Sequence, residues 1–255
     1  MSAAPNYTTQ EATDAIKAIG TKALPTFLTW LRYEQSPAKR WVIELIYRLP
    51  LGKRKHDLWL ALGGPKISLL PKQADEGFRI LGADAQSAIP ELVRLAKDPR
   101  HPRPSFRAIK ALGRIGPLSM PELAKLLSDT SCPNREAVVV QIANFATNVP
   151  SAVPMILQLT SNPAEDLSSA AVSILGTRQV PYELAVPALI NGLGSKHPKT
   201  QQFAAASLGQ YTTQAVQAAP ALRQLLFASN LFTRYEATNA LLKIQPEGFT
   251  KTRLQ

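Results

Sequence analysis

Proline recurs at almost constant spacing along this chain, at Pro90, Pro121, Pro154, Pro187 and Pro220, with gaps of 31, 33, 33 and 33 residues. Apolar pairs follow each of them, two and then five or six residues on: Leu92 and Leu95, Leu123 and Leu126, Ile156 and Leu159, Leu189 and Leu193, Leu222 and Leu225. A period of this length fits a pair of short helices that must stack on its neighbours, because neither helix can bury its apolar stripe alone. Proline is at home in the first turn of a helix, where its missing N–H would have no partner and its fixed φ is already helical. Each of these prolines is therefore expected to open the second helix of a repeat. The first helix is expected to close on a glycine in the left-handed conformation, at Ile19-Gly20, Leu81-Gly82, Leu112-Gly113, Leu175-Gly176 and Leu208-Gly209.

The pattern extends towards the N-terminus. Pro25 has Phe27, Trp30 and Leu31 behind it and lies 65 residues before Pro90, about two periods. A degenerate repeat is expected between them, with Trp41 to Leu49 as first helix, Asp57 to Leu62 as second, and Gly63-Gly64-Pro65 breaking it early. The spacing thus predicts hairpins at about 9–32, 37–64 (degenerate), 72–97, 104–128, 134–160, 165–194 and 199–228, a closing helix at about 233–245, and no sheet.

Two segments, RAIKALGRIGPLSMPELAKLLSD and AAASLGQYTTQAVQAAPALRQLLFAS, carry the pattern Ala-x-x-Ala-Leu-Gly, a turn, then Ala-x-Pro-x-Leu-x-x-Leu-Leu, or close variants of it. They resemble the HEAT repeat, in particular the short bacterial type similar to the repeats of phycobilisome lyases. The opening AIKAIGTKALPTFLTWLR and the ending ATNALLKIQPE resemble the ends of bacterial HEAT-repeat chains. The resemblance covers nearly all of the chain except about residues 34 to 72. It implies an all-α, right-handed superhelical α-solenoid of HEAT-like hairpins, an ARM-type fold, formed as a single domain over residues 1–255. It further implies a scaffold for other macromolecules and says little about activity.

The residues offer no motif for catalysis. His56, His101 and His197 sit in turn-like contexts with no second ligand at metal spacing. Gly63-Gly64-Pro65-Lys66 is too short for a phosphate loop and lacks the following Ser or Thr. Cys132 is the sole cysteine, which rules out an internal disulfide and suits a reducing compartment. The adjacent acids Asp75-Glu76 and Glu165-Asp166 point to different sides of a helix and read as first-turn acids favoured by the helix dipole. No catalytic residue, cofactor or metal is expected. The start MSAAPNYTTQ lacks a secretory pattern, and a cytoplasmic location is expected for the chain as written.

Charge is unevenly distributed. The chain carries 29 basic and 18 acidic side chains, and residues 32–114 hold 17 of the former and 8 of the latter. Two clusters stand out: Lys53, Arg54 and Lys55, and a stripe of Arg103, Arg107, Lys110 and Arg114 at helical offsets. These are candidate contacts for an anionic macromolecule. Trp30, Tyr33, Trp41, Tyr47 and Trp59 lie nearby and could stack bases, although Trp41 and Trp59 fall on positions expected to be buried. A second candidate surface comes from the position four residues after each proline: Thr29, Arg94, Lys125, Gln158, Asn191 and Gln224 are all polar. In HEAT arrays second helices line the concave side, so Arg94, Lys125, Gln158, Asn191 and Gln224 are candidate partner contacts, expected to be accessible. The reading favoured by these features is a non-catalytic scaffold that binds a protein partner. The alternative is a nucleic-acid binder using the basic N-terminal half, and a more distant one is a chromophore-lyase-like activity.

Overall fold

Short apolar stripes separated by prolines and glycines leave the chain no means of building a sheet. In the computed structural model every element is a helix, and no strand occurs among the described residues. The structure describes residues 9–34, 41, 45, 48, 64–177 and 180–245. Packing divides the chain into two compact units, Met1–Asn134 and Arg135–Gln255. Each has the architecture of an α-solenoid, with helices that alternate in role along the chain.

The first unit contains α1 (Thr9–Ile19), α2 (Leu24–Arg32), α3 (Gly64–Leu81), α4 (Ile89–Ala96), α5 (Pro102–Ile115) and α6 (Met120–Ser128). Odd-numbered helices are the first of each pair and even-numbered ones the second. The main contacts run between α2 and α3, α4 and α5, and α3 and α5, so a second helix packs chiefly on the first helix of the next repeat. The core follows from spacing: Ala108, Ile109, Leu112 and Ile115 on α5, and Leu123, Leu126 and Leu127 on α6, are all buried. The expected degenerate repeat at 37–64 lies almost wholly outside the described residues. Within it, Trp41 is 65% exposed and not buried as its position suggested; Trp59 lies outside the described residues.

The second unit contains α7 (Arg135–Ala143), α8 (Ala152–Leu159), α9 (Glu165–Leu175), α10 (Tyr182–Leu193), α11 (Pro198–Tyr211), α12 (Ala219–Leu225) and α13 (Leu231–Ile244). First helices pack on one another, α7 on α9, α9 on α11 and α11 on α13, while α10 packs on α11 and α12 on α13. Buried hydroxyls tie successive first helices together. Ser168 and Thr200 share a 2.8 Å hydrogen bond, Ser207 donates to the Val172 carbonyl at 2.8 Å, Thr233 donates to Pro198, and the Tyr211 hydroxyl donates to Leu175. Each such bond satisfies a group that burial would otherwise leave unpaired.

Three local expectations need correction. Pro25, Pro90, Pro121, Pro154 and Pro220 fall in the first turn of a second helix, but Pro187 is the sixth residue of α10. In the first unit and before α12 a 3₁₀ segment leads into the second helix. The equivalent residues from Tyr182 are α-helical instead, so Pro187 ends up in the helix interior with no N–H to offer the Glu183 carbonyl. Glycine is also used in two ways. Gly20, Gly82 and Gly116 have positive φ and close their helices; α5 runs through Gly113 to Ile115, so Gly116 and not Gly113 is the closing residue. Gly176 ends α9 in a right-handed conformation, and Gly209 lies inside α11. At these two a Cβ would meet Ser207 Oγ at 2.5 Å and Ala240 Cα at 3.3 Å, so close helix approach is what excludes a side chain. Thr212, with φ 51°, supplies the positive φ after α11. The third correction concerns Gly64-Pro65, which begins α3 eight residues before the expected start at 72. Asp75 and Glu76 therefore sit in its second half and not in a first turn.

Candidate interaction surfaces

The second helices bury their leucines inward and leave the next position outward. Leu92 and Leu95 on α4, Leu123 and Leu126 on α6, Ile156 and Leu159 on α8, Leu189 and Leu193 on α10, and Leu222 and Leu225 on α12 are all buried. Arg94, Lys125, Gln158, Asn191 and Gln224, and also Thr29 on α2, are exposed. These positions differ chemically between the two units.

On α4 and α6 the exposed position is a cation held by an acid one turn earlier, in the parallel sequences Pro90-Glu91-Leu92-Val93-Arg94 and Pro121-Glu122-Leu123-Ala124-Lys125. Arg94 donates to Glu91 through Nε at 2.9 Å and Nη2 at 2.6 Å, and Lys125 Nζ donates to Glu122 at 2.7 Å. Glu91 also pairs with Arg32, and Lys97 reaches Asp129 at 2.9 Å. Hydrogen bonds from Ser131, with those of Lys97, lower the Asp129 carboxyl pKa to about 2. In the second unit Gln158, Asn191 and Gln224 are neutral carboxamides whose side chains make no hydrogen bond to a described residue. Each offers donors and an acceptor to whatever approaches.

The basic stripe on α5 has partners inside the first unit. Arg107 is half-buried, and its Nη1 donates to the carbonyls of Leu31 at 3.1 Å and Tyr33 at 2.6 Å, covering the C-terminal end of α2. Burial lowers the pKa of its guanidinium from the ordinary value. Arg114 donates to both oxygens of Asp75, at 3.2 and 3.1 Å, and Lys110 reaches it at 3.4 Å. Burial alone would raise the Asp75 pKa, but the Arg114 hydrogen bonds and the two positive charges outweigh it and hold the carboxyl below its usual value. The alignment of like charges is thus offset by Asp75 on α3 and the end of α2. Arg103 is exposed, and Lys53, Arg54 and Lys55 lie outside the described residues. Neither the Asp75 clasp nor the Arg107 cap could be read from spacing, since the partners are 35 to 76 residues apart.

His101 Nδ1 lies 2.7 Å from Glu34, and His197 Nε2 lies 3.0 Å from the Pro163 carbonyl; His56 is outside the described residues. Cys132 is buried, with Sγ 3.8 Å from the Ala96 carbonyl. Glu165 and Asp166 do sit in the first turn of α9. Among the described residues no group of three His, Cys, Asp or Glu side chains is placed to hold a metal ion, and no helix is long and apolar enough to cross a membrane.

The fold and these outward faces define the chain as a helical-repeat protein. No family model matches it, and no curated protein is similar to it. Solved structures with some likeness include a designed armadillo-repeat protein, 17% identical over 87% of this chain and 100% of that one, with a TM-score of 0.42. A second designed armadillo-repeat protein, in complex with the peptide (KR)4, is 15% identical over 80% of this chain and 99% of its own, also at 0.42. Human deoxyhypusine hydroxylase in complex with glycerol is 18% identical over 94% of this chain and 99% of its own, at 0.33. Likenesses at this level do not bear on function.

Proposed function

We propose that this chain, built of HEAT-like repeats throughout residues 1–255, is a non-catalytic scaffold that binds a protein partner through the outward faces of its second helices. The observation that carries this reading is the recurrence of one exposed polar side chain, at Arg94, Lys125, Gln158, Asn191 and Gln224, beside a buried apolar pair on α4, α6, α8, α10 and α12. The buried pairs fix the helices, so the exposed groups are presented on a rigid frame, and the energy of ordering them is small. The carboxamides of the second unit match the donor and acceptor of a peptide bond, while the Glu91–Arg94 and Glu122–Lys125 pairs of the first suit a partner with charged side chains.

The test places a photo-crosslinkable residue at Gln158, Asn191 or Gln224 and, as a control, at the exposed Ser173 on first helix α9. The same partner should be trapped from the second-helix positions and not from Ser173. Equal capture from both faces would overturn the assignment. Duplex DNA binding that falls steeply with salt would point instead to the basic half. The internal partners of Arg107, Lys110 and Arg114 account for part of the charge that suggests that second reading, and Arg103 remains exposed.

A further inference from the structure

A groove of about 600 Å³ opens between α1, α2 and α3, separate from the second-helix positions just described. Its apolar lining comes chiefly from Ile16, Ile19, Ala23, Phe27, Trp30 and Ile80. Phe27 and Ala23 form the buried floor, while Ile19 is 52% exposed. Phe27 holds this position because its ring lies against Gly77, where a Cβ would come within 2.3 Å of it. The size is that of an ordinary small-molecule site, about 300–1,000 Å³.

The charged groups at the groove are unequal. Glu76 is neutralised by Arg79, which donates to it at 2.8 and 2.5 Å. Lys22 and Lys72 also line the groove, both are exposed, and neither has an ionic partner among the described residues. An apolar groove whose lining includes two cations with no ionic partner among the described residues is complementary to a molecule with an apolar tail and an anionic end. An alkyl tail also makes no demand for hydrogen bonds, and the apolar floor supplies none.

We propose that the groove between α1, α2 and α3 binds an amphipathic carboxylate, its alkyl chain lying against Ile16, Phe27 and Trp30 and its carboxylate at Lys22 and Lys72. The probes are decanoate, octanoate and 1-decanol below their aggregation concentrations, measured by calorimetry on the full chain. Decanoate should bind saturably at one site. Octanoate should bind about 15-fold more weakly, since each lost methylene forfeits roughly 0.8 kcal/mol of burial, or about fourfold in affinity.

The Lys22→Gln/Lys72→Gln variant alters only exposed side chains. It should reduce decanoate affinity several-fold to the level of 1-decanol and leave 1-decanol binding unchanged. Ala12→Trp, at an exposed position lining the groove, should fill it and abolish binding of both, with the helical circular-dichroism signal confirming that the variant folds. Decanoate binding that is unsaturable, indifferent to the two lysines, or intact in Ala12→Trp overturns the proposal. So does an acidic amphipathic helical peptide that binds there where decanoate does not, which would assign the groove to a protein partner. None of these outcomes touches crosslinking at Gln158, Asn191 or Gln224, so the two readings stand or fall separately.

Discussion

The first and second units solve the same packing problem with different chemistry. In Met1–Asn134 many polar links between helices are ionic and sit at the surface, Asp75 with Lys110 and Arg114, Lys97 with Asp129, and Glu91 with Arg32, beside the buried Ser105 hydroxyl, which donates to the Ala96 carbonyl. In Arg135–Gln255 they are buried hydroxyls donating to carbonyls one repeat away, and the close approach of α9 and α11 requires glycine at 176. A surface ion pair contributes little and responds to salt and pH, whereas a buried hydroxyl bond is insensitive to both. The second unit should therefore be the less responsive to solvent conditions, and the first the one that charge substitutions can tune.

The largest expected effects come from the core that the two units share in kind. Leu126 on α6 and Leu189 on α10 are both fully buried, and truncating either to alanine should cost about 2–5 kcal/mol by leaving a cavity. Because a repeat contacts only its neighbours, the loss should be local. Hydrogen exchange on Leu126→Ala should show raised amide exchange in α5 and α6 before α11 and α12, and on Leu189→Ala the reverse. Uniform loss of protection in both variants would mean that the two units open as one.

Glycine separates the units next. In Gly176→Ala the new methyl would lie 2.9 Å from Ser207 Cβ and 3.1 Å from its Cα, and overpacking of this kind costs about 1–3 kcal/mol. The Ser207 bond to Val172 would be pushed aside with it. Gly82→Ala meets nothing within 4 Å, and only its φ of +50° opposes the change, a strain of about 1 kcal/mol. Thermal melts should rank Gly176→Ala as the more damaging; the opposite order would mean that backbone conformation, and not helix approach, limits both sites.

The repeat itself was legible because its markers are local. A proline near the start of a helix acts on the residues beside it, so Pro90, Pro121 and Pro154 each stand in the first turn of α4, α6 and α8. Gly63-Gly64-Pro65 misled for a related reason: the same residues can stop one helix or start another, and Pro65 starts α3. Pro187 misled because the register of the preceding turn, and not the proline, sets where α10 begins. The polar links were illegible in both units. Asp75 meets Lys110 and Arg114 across 35 and 39 residues, Ser207 meets Val172 across 35, and nothing in a one-dimensional pattern marks those pairs. The groove at α1 has no marker in the sequence, because Ile16, Trp30 and Ile80 come from three helices and meet only in the fold.

The Asp75 clasp is the next most sensitive test. Its carboxyl titrates below the ordinary value in the folded chain, so the clasp stabilises fully above the unfolded-state pKa of about 3.9 and its contribution is lost as pH falls through the lower folded-state value. Asp75→Asn should cost up to about 1 kcal/mol at neutral pH, an upper limit because the partners are partly exposed. The difference from the parent chain should shrink as the pH falls through that lowered folded-state value. Asp166 in the second unit lies 3.9 Å from Arg135 and is 47% exposed, so Asp166→Asn should change stability by less than about 0.5 kcal/mol. Chemical denaturation of both variants between pH 3 and 7 measures the contrast, and equal losses would erase it.

The smallest effect on stability carries the most information about function. Arg94 and Lys125 are 67% and 70% exposed, and each is held only by an acid on its own helix. Converting both to glutamine puts carboxamides at these positions, as in the second unit, leaves Glu91 to Arg32 and frees Glu122, and should shift stability by no more than about 0.5 kcal/mol. Burial, core packing and the clasp at Asp75 are untouched, so any change in partner capture belongs to the surface. If the first unit contributes charge recognition, the double variant should lose partner affinity and its salt dependence together, while crosslinking from Gln158 and Gln224 persists at raised partner concentration. If affinity and salt dependence are both unchanged, Glu91–Arg94 and Glu122–Lys125 are ordinary helix-surface pairs, and recognition rests on the carboxamides of the second unit.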